Sequence, residues 1–467
     1  MSPKRSLALR AFALAGLACA AACLSRAGAE PGVYPTKVTR YDPARAYNSY
    51  ILFDGRDGRT HLIDMDGNDV HTWNHTGFPS LLLDPRLTGG RRGHILVQLR
   101  NSRPKAGPAF GTIFDNIEIG ELNWNGRVVW RWGQQAPGGA ARQNHDWQRL
   151  ANGDTLIVAS AYRQAKNFRG GRVKDQVIEE IDRAGRIVWH WSAAAHLEEF
   201  GFSRAGLKMI YADQSLDNQA GGFLTINSMN VLGPNRWYAA GDRRFNPHNI
   251  MIGARNANVI AIIDRRTGRI VWRLGPYFPA PAHGPSSVVF DYRVPRPVDQ
   301  IMGAHDPHLI PEGLPGAGDI LVLDNEGEAG FPPATLGMFQ GSRVLEINPR
   351  SRQIVWQYNG EDSDRAVWTF DTSFIGSVNR LPNGNTLICE GMNGRIFQVT
   401  PRGRIVWEYV SPYFGRQTLG GRMVSTNWIY RAQPVPYEWV PPGTPREQDP
   451  VIPPRNAQFH LPIEKPR

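Results

Sequence analysis

Two of the 12 histidines in this chain share one local context, and the residue types around them are those of group-transfer chemistry. One lies in Arg142-Gln-Asn-His-Asp-Trp147, just ahead of a predicted strand from Asp154 to Ser160. The other lies in Gly303-Ala-His-Asp-Pro-His-Leu-Ile310, ahead of a predicted strand ending at Asp324-Asn325. An imidazole near neutral pKa attacks a sulfuryl or phosphoryl group or shuttles a proton, and an adjacent carboxylate can fix its tautomer. Taken singly, His145 or His308 reads as a hydrogen-bonded ring that closes a strand pair. Recurrence of the His-Asp pair at matching positions favours function. His61, His71, His75, His94, His190, His196, His283 and His460 lack that context and read as surface or packing residues, and His248 reads as a cap of the loop Phe245-Asn-Pro-His-Asn249. His305-Asp306-Pro307-His308 contains metal-ligand types, but two histidines three apart with one aspartate on a loop is a weak metal pattern.

For His145 and His305 to meet, the chain between them must form a ring of equivalent elements, and a repeat supplies it. Six times a turn leads into branched apolar residues and a tryptophan: Asp66-Gly…Trp73, Asn125-Gly-Arg-Val-Val-Trp130, Ala184-Gly-Arg-Ile-Val-Trp189, Thr267-Gly-Arg-Ile-Val-Trp272, Ser351-Arg-Gln-Ile-Val-Trp356 and Arg402-Gly-Arg-Ile-Val-Trp407. Upstream, turns feed apolar strands at Ala151-Asn-Gly-Asp-Thr-Leu-Ile-Val158, Gly318-Asp-Ile-Leu-Val322 and Leu381-Pro-Asn-Gly-Asn-Thr-Leu-Ile388, with Gly93-His-Ile-Leu-Val97 a weaker copy. Each copy is a turn followed by a strand. A repeat of roughly 45 residues or more, built from turns and short strands, predicts an all-β fold, a six-bladed β-propeller around a central channel. The two longer intervals, from Trp189 to Trp272 and from Trp272 to Trp356, predict loop insertions on one face at about 195 to 235 and 275 to 300, with a Gly-rich loop at 326 to 342.

Composition agrees: 49 Gly, 36 Pro and 14 Trp suit many turns and stacked sheets. Lys4, Arg5 and Arg10 precede the apolar run Ala11 to Leu24, and Ala27-Gly-Ala29 offers a cleavage site, so residues 1–29 read as a secretory signal. An anchoring helix is the weaker reading because about 14 apolar residues fall short of a bilayer. Cys19 and Cys23 lack the usual lipoprotein context. A periplasmic or secreted location is expected. Removing 1–29 takes four cationic and no acidic side chains, which brings the formal charge of +11 to +7. It leaves Cys389 alone, a buried thiol in the strand Thr386 to Cys389. The positive charge is spread out, with no Lys/Arg block, so nucleic acid is a poor partner and small anions fit better. No membrane span and no cofactor is expected, and the oligomeric state stays open. The propeller is expected over 30–433, with 434–467 an extended Pro-rich tail.

These features resemble the bacterial arylsulfate sulfotransferases, six-bladed propellers secreted to the periplasm. The resemblance runs from Tyr34-Pro-Thr to Tyr437-Glu-Trp-Val440. It is most specific at Asn227-Ser-Met-Asn-Val-Leu-Gly-Pro-Asn-Arg-Trp-Tyr238, Gly241-Asp-Arg-Arg-Phe245, Ile270-Val-Trp-Arg-Leu-Gly-Pro276, Ile310-Pro-Glu-Gly-Leu-Pro-Gly-Ala-Gly-Asp-Ile320 and Leu381 to Ile388. It implies transfer of a sulfuryl group from an aryl sulfate to a phenol, without a nucleotide, through a sulfohistidine. His305 would be the nucleophile, His145 a sulfate-binding or proton-transferring partner, and Arg255, in Gly253-Ala-Arg-Asn256, the sulfate clamp. Where the family shows Trp-x-His-x-Asn-Ser, this chain has Phe223-Leu-Thr-Ile-Asn-Ser228, so a family histidine is Thr225 here, and threonine is no acid or base near pH 7. His308 or His248 would have to replace it. Thr225, Asn227 and Asn325 are expected to bind substrate. The alternative is a diverged, non-catalytic propeller that binds an anionic or aromatic ligand. A quinone-dependent dehydrogenase fits less well, since eight blades are usual there and no adjacent cysteine pair is present.

Overall fold

The structure, a computed structural model, describes residues 35–101, 114–217, 221–276, 301–327, 329–331, 341–419 and 422–453. The expected signal at 1–29, most of the insertion expected at 275–300, His283, His460 and the last part of the tail lie outside the described residues.

Six antiparallel sheets form the six blades of a propeller. Blades 2 to 6 each take four consecutive strands, beginning respectively at Leu81–Leu82, Gln143–Arg149, Ile226–Val231, His305–Leu309 and Ser377–Arg380. The first strands of most neighbouring blades touch one another around the ring, which places them at the channel. Blade 1 borrows its inner strand, Ala432–Val435, from the far end of the chain and pairs it with Tyr50–Asp54. At the other edge Lys37–Tyr41 adds a fifth, outermost strand to blade 6 by pairing with Ile405–Val410. The ring is therefore closed by chain crossing the same seam in both directions. The closing strand crosses the boundary expected at 433, and beyond it Val451 pairs with Tyr41 on the outside.

Blade strands are buried on both faces, and alternate residues feed opposite neighbours. In blade 5, Ile320 and Val322 pack against blade 4, while Leu321 and Leu323 pack against blade 6. Six apolar cores result, one in each gap between blades. A seventh cluster, Phe78, Phe114, Ile375, Trp428 and Tyr430, lies apart from these gaps.

The repeated tryptophans lie on the fourth strand of each blade, and most of their indole nitrogens reach into the next blade. Trp73 donates to the Asn123 carbonyl (3.4 Å), Trp189 to Arg265 (3.0 Å), Trp272 to Pro349 (3.1 Å), Trp356 to Pro401 (2.8 Å) and Trp407 to Met65 (2.7 Å). In blade 2 this bond is made two residues later, by Trp132 to Gly185 (3.0 Å), while Trp130 lies under Arg149. Each bond satisfies a donor that burial would otherwise strand.

The insertion expected at 195–235 is shorter than predicted. It holds Ala194–Phe200, the helix Arg204–Ala212 capped by Ser203, and Gln214–Asp217, but the inner strand of blade 4 already begins at Ile226. Ile226-Asn-Ser-Met-Asn-Val231 hides from a hydrophobicity reading because its polar side chains are buried at the channel. Cys389 is buried in the strand Thr386–Glu390, and burial pushes its thiol well above the usual range. No helix among the described residues is long and apolar enough to cross a membrane.

Trp407 makes the bond across the closing seam. Trp407→Phe leaves the buried Met65 carbonyl without its donor and is expected to cost about 1–3 kcal/mol in urea unfolding, more than the same change at the exposed Trp368.

Candidate active site

The inner ends of blades 3 to 6 carry one device. Each has a non-glycine residue in the left-handed region: His145 (φ 58°), Thr225 (φ 51°), Asp306 (φ 54°) and Ile375 (φ 60°). In blades 3, 4 and 5 the pairing register shifts at the same place. Such bulges re-aim side chains, at a cost of about 1–3 kcal/mol for each strained residue. Here they turn His145, Asn227 and His305 inward.

Tyr430, on the segment leading into the closing strand, stands between the two histidines, its ring 6.1 Å from that of His145 and 6.5 Å from that of His305. Both imidazoles are held in the same way. His305 Nδ1 lies 2.5 Å from Asn325 Oδ1, and the Asn325 amide nitrogen donates to the carbonyls of Thr372 and Ile375. The oxygen of Asn325 must therefore face His305, so His305 Nδ1 carries the proton and Nε2 a lone pair. His145 Nδ1 lies 2.8 Å from Asn144 Oδ1, and the Asn144 amide donates to the Arg142 carbonyl and Ser160 Oγ. The tautomer is the same. Burial, with the positive charge of Arg431, pulls His145 down to about 3. Burial, with Arg255 and Arg431, pulls His305 well below its usual range. Both rings are neutral at physiological pH, each with an Nε2 that accepts no hydrogen bond from the described residues.

The aspartates of the two His-Asp pairs do not orient the imidazoles. Asp146 Oδ2 accepts from the Met229 N–H (2.8 Å), and Asp306 Oδ2 from the Val378 N–H (3.2 Å), so each stitches its blade to the next. The two carboxylates also share one buried guanidinium. Arg431 Nη1 is 3.0 Å from Asp146 and 3.4 Å from Asp306, and Nη2 donates to the Asn227 carbonyl (2.7 Å), to which the Tyr430 hydroxyl also donates (2.9 Å). Burial raises the Asp146 carboxyl to about 6, opposed by Arg431 and the Met229 N–H, so it is ionised at neutral pH. The two carboxylates outweigh the burial of Arg431 and hold it protonated.

Arg255 joins from blade 4. Its N–H donates to the Thr225 carbonyl (2.9 Å), and its guanidinium donates to Asn256 Oδ1 (3.1 Å) and the Ser373 carbonyl (3.0 Å). A Cβ at Gly303, two residues before His305, would stand 3.5 Å from the guanidinium, and one at Gly327 would stand 2.8 Å from Nη2. The glycines leave room for the arginine beside the His305 strand.

The structure thus brings His145, Arg255, His305, Asn227 and Asn325 together, with Asn325 spent on orienting His305. The Asn227 amide nitrogen donates to the Ala304 carbonyl (2.8 Å), while Asn227 Oδ1 and Ser228 Oγ are buried with no partner among the described residues. Thr225 sits at the blade end, its hydroxyl turned to the Gly222 carbonyl (3.4 Å). Neither expected replacement joins the group. His308 turns its Nδ1 onto the Asp306 carbonyl (2.8 Å). His248 is exposed just before Ile250, and the pairing Ile226↔Ala254, Val231↔Ile250 puts it at the opposite end of blade 4 from Thr225. Among the described residues no three His, Cys, Asp or Glu side chains group to hold a metal. Tyr430 and Arg431 escape a sequence reading because Trp428-Ile-Tyr-Arg431 carries no repeat signature.

The profile of the arylsulfotransferase (ASST) family matches residues 117–412, more than half of the chain. The chain belongs to the arylsulfotransferase family. The ASST match contains His145, Arg255 and His305, and it leaves out blade 1, Tyr430 and Arg431. No curated protein matches. Solved structures similar to this ASST chain include a protein of unknown function from Bacteroides caccae (12% identity, 83% of this chain and 99% of that one, TM-score 0.43). They also include quinohemoprotein alcohol dehydrogenase from Comamonas testosteroni (11%, 82% and 62%, TM-score 0.36) and virginiamycin B lyase from Staphylococcus aureus (11%, 72% and 80%, TM-score 0.31).

Arg431→Gln leaves two buried carboxylates without their cation and is expected to lower stability by about 3–5 kcal/mol in urea unfolding; a loss below 1 kcal/mol would contradict the shared clamp. In protein labelled with ¹⁵N-histidine, His145 and His305 should remain neutral Nδ1–H tautomers from about pH 8 to about pH 5. Either ring titrating near the ordinary value of about 6.5 would contradict the assignment.

Proposed function

We propose that this arylsulfotransferase moves a sulfuryl group from an aryl sulfate to a phenol through a sulfohistidine on His305. The observation that carries the reading is the pair of neutral, asparagine-held imidazoles with bare Nε2 atoms, next to the Arg255 guanidinium.

In the first half-reaction the His305 Nε2 lone pair attacks sulfur, the sulfur–oxygen bond to the aryl group breaks, and the donor leaves as a phenolate. The ring gains positive charge as the N–S bond forms, and the Nδ1–H bond to Asn325 strengthens with it. Arg255 faces the charge spread over the sulfuryl oxygens. In the second half-reaction an acceptor phenol oxygen attacks sulfur, its proton passes to His145 Nε2, and the N–S electrons return to His305. The depressed pKa of His145 keeps its ring neutral, with a lone pair to accept a proton and no proton to offer the first leaving group. Thr225 offers none either, so donors with acidic phenols are favoured. The charge pattern of residues 1–29 supports export to the periplasm or beyond.

Mixing the protein with 4-methylumbelliferyl sulfate, without acceptor, should release one equivalent of 4-methylumbelliferone and leave one SO₃ group on His305 by peptide mass spectrometry. His305→Ala should abolish both. Release that survives His305→Ala overturns the assignment, and no release from either protein supports the non-catalytic alternative, in which the same pocket binds an aromatic anion.

A further inference from the structure

We infer that a cleft at the channel mouth is a second recognition site, taking the aryl ring of substrates that carry an additional anionic group, such as a hydroxyphenyl carboxylate. The inference rests on the sulfuryl-transfer reading and deepens it. The cleft has a volume of about 210 Å³ and is open to solvent. Its walls are aromatic: Phe78, Trp428 and Tyr430 line it, and all three belong to the aromatic cluster outside the blade gaps. Phe78 packs at a tilt against both neighbours, 4.1 Å from Tyr430 and 5.0 Å from the His145 ring, so a run of touching rings joins the cleft to the imidazoles. Flat apolar walls suit a benzene ring.

The charge in the cleft is supplied by Arg56, on the turn between the second and third strands of blade 1, and Arg416, on the hairpin Gly415–Leu419/Arg422–Thr426. The hairpin lies directly on that turn, since a Cβ at Gly415 would fall 2.2 Å from the Arg56 carbonyl. Two arginines thus line one small cleft, and their positive charge suits an anion. Asp54, the acidic residue of the lining, is spent inside the fold, its oxygens accepting from Thr60, the Gly77 N–H and Ser80. A para-substituted ring holds its two ends on opposite sides, so its reacting oxygen can point past Tyr430 while its carboxylate stays with the arginines.

The origin of the lining sets this site apart from the transfer chemistry. His145, Arg255 and His305 lie within the family match at 117–412, whereas Asp54, Arg56, Phe78, Arg416, Trp428 and Tyr430 lie outside it, leaving Ile375 as the one lining residue inside. The chemistry comes from the shared part of the chain and substrate choice from the part around it.

The test compares three acceptors of similar size, 4-hydroxyphenylacetate, 4-ethylphenol and tyramine, at fixed 4-methylumbelliferyl sulfate. We expect kcat/KM to fall in that order, with about a tenfold advantage for the anion over the neutral phenol that shrinks as salt is added. In Arg56→Gln/Arg416→Gln the ratio of anionic to neutral acceptor should drop about tenfold. Equal constants for the three acceptors, or a ratio unmoved in the double variant, overturns the site while leaving the sulfuryl-transfer reading intact. If no acceptor is sulfated, that reading falls and the cleft is tested alone by quenching of tryptophan fluorescence. Quenching by 4-hydroxyphenylacetate that weakens in the double variant supports the site, and no quenching of the native protein overturns it.

Discussion

One buried guanidinium, that of Arg431, holds the centre of this molecule together. It meets the carboxylates of Asp146 and Asp306 and the carbonyl of Asn227, groups from three different blades. A buried carboxylate without a partner is costly, and two of them near one axis would also repel, so the arrangement needs its cation. The cation arrives on the segment that leads into the closing strand Ala432–Val435. Ring closure and assembly of the channel are thus one event, because the strand that completes blade 1 delivers the charge that the inner ends of blades 3 and 5 require.

Around that centre the blades are joined by weaker, repeated contacts. Alternate side chains of two-faced strands fill the six gaps, and indole N–H bonds tie each outer strand to its neighbour's turn. Such a ring is rigid enough to keep strained residues in place. His145, Thr225, Asp306 and Ile375 all adopt left-handed backbone that a free chain would avoid, and their strain is offset by the sheets on either side.

The electrostatic division inside the channel follows from hydrogen bonding. Asn144 and Asn325 are neutral acceptors that orient the imidazoles, and burial with Arg255 outweighs the upward pull of Asn325 on His305. The aspartates next to those histidines are turned to Arg431 and to backbone N–H groups instead. Positive charge belongs to Arg255 and Arg431 and the lone pairs to the histidines, a separation that suits attack on an anion.

The turn-strand-Trp copies made the propeller and its blade number legible in the sequence, because period-two burial and turn chemistry are local properties that neighbouring residues declare. The two His-Asp pairs were legible as a group for a related reason, since equivalent positions on a ring converge, whereas Arg255 was legible only through the family resemblance. The sequence could not reveal what those aspartates bind, because Arg431 lies far along the chain from both and only closure of the ring brings it near. It showed Thr225 in place of a family histidine but not that His308 and His248 point elsewhere, since a one-residue bulge or the far end of a strand reverses where a side chain goes. Residue types and their recurrence thus determined the architecture and the kinds of groups in the channel. The tertiary structure decided their partners, protonation and tautomers, because these depend on distances that exist only once the seam is closed.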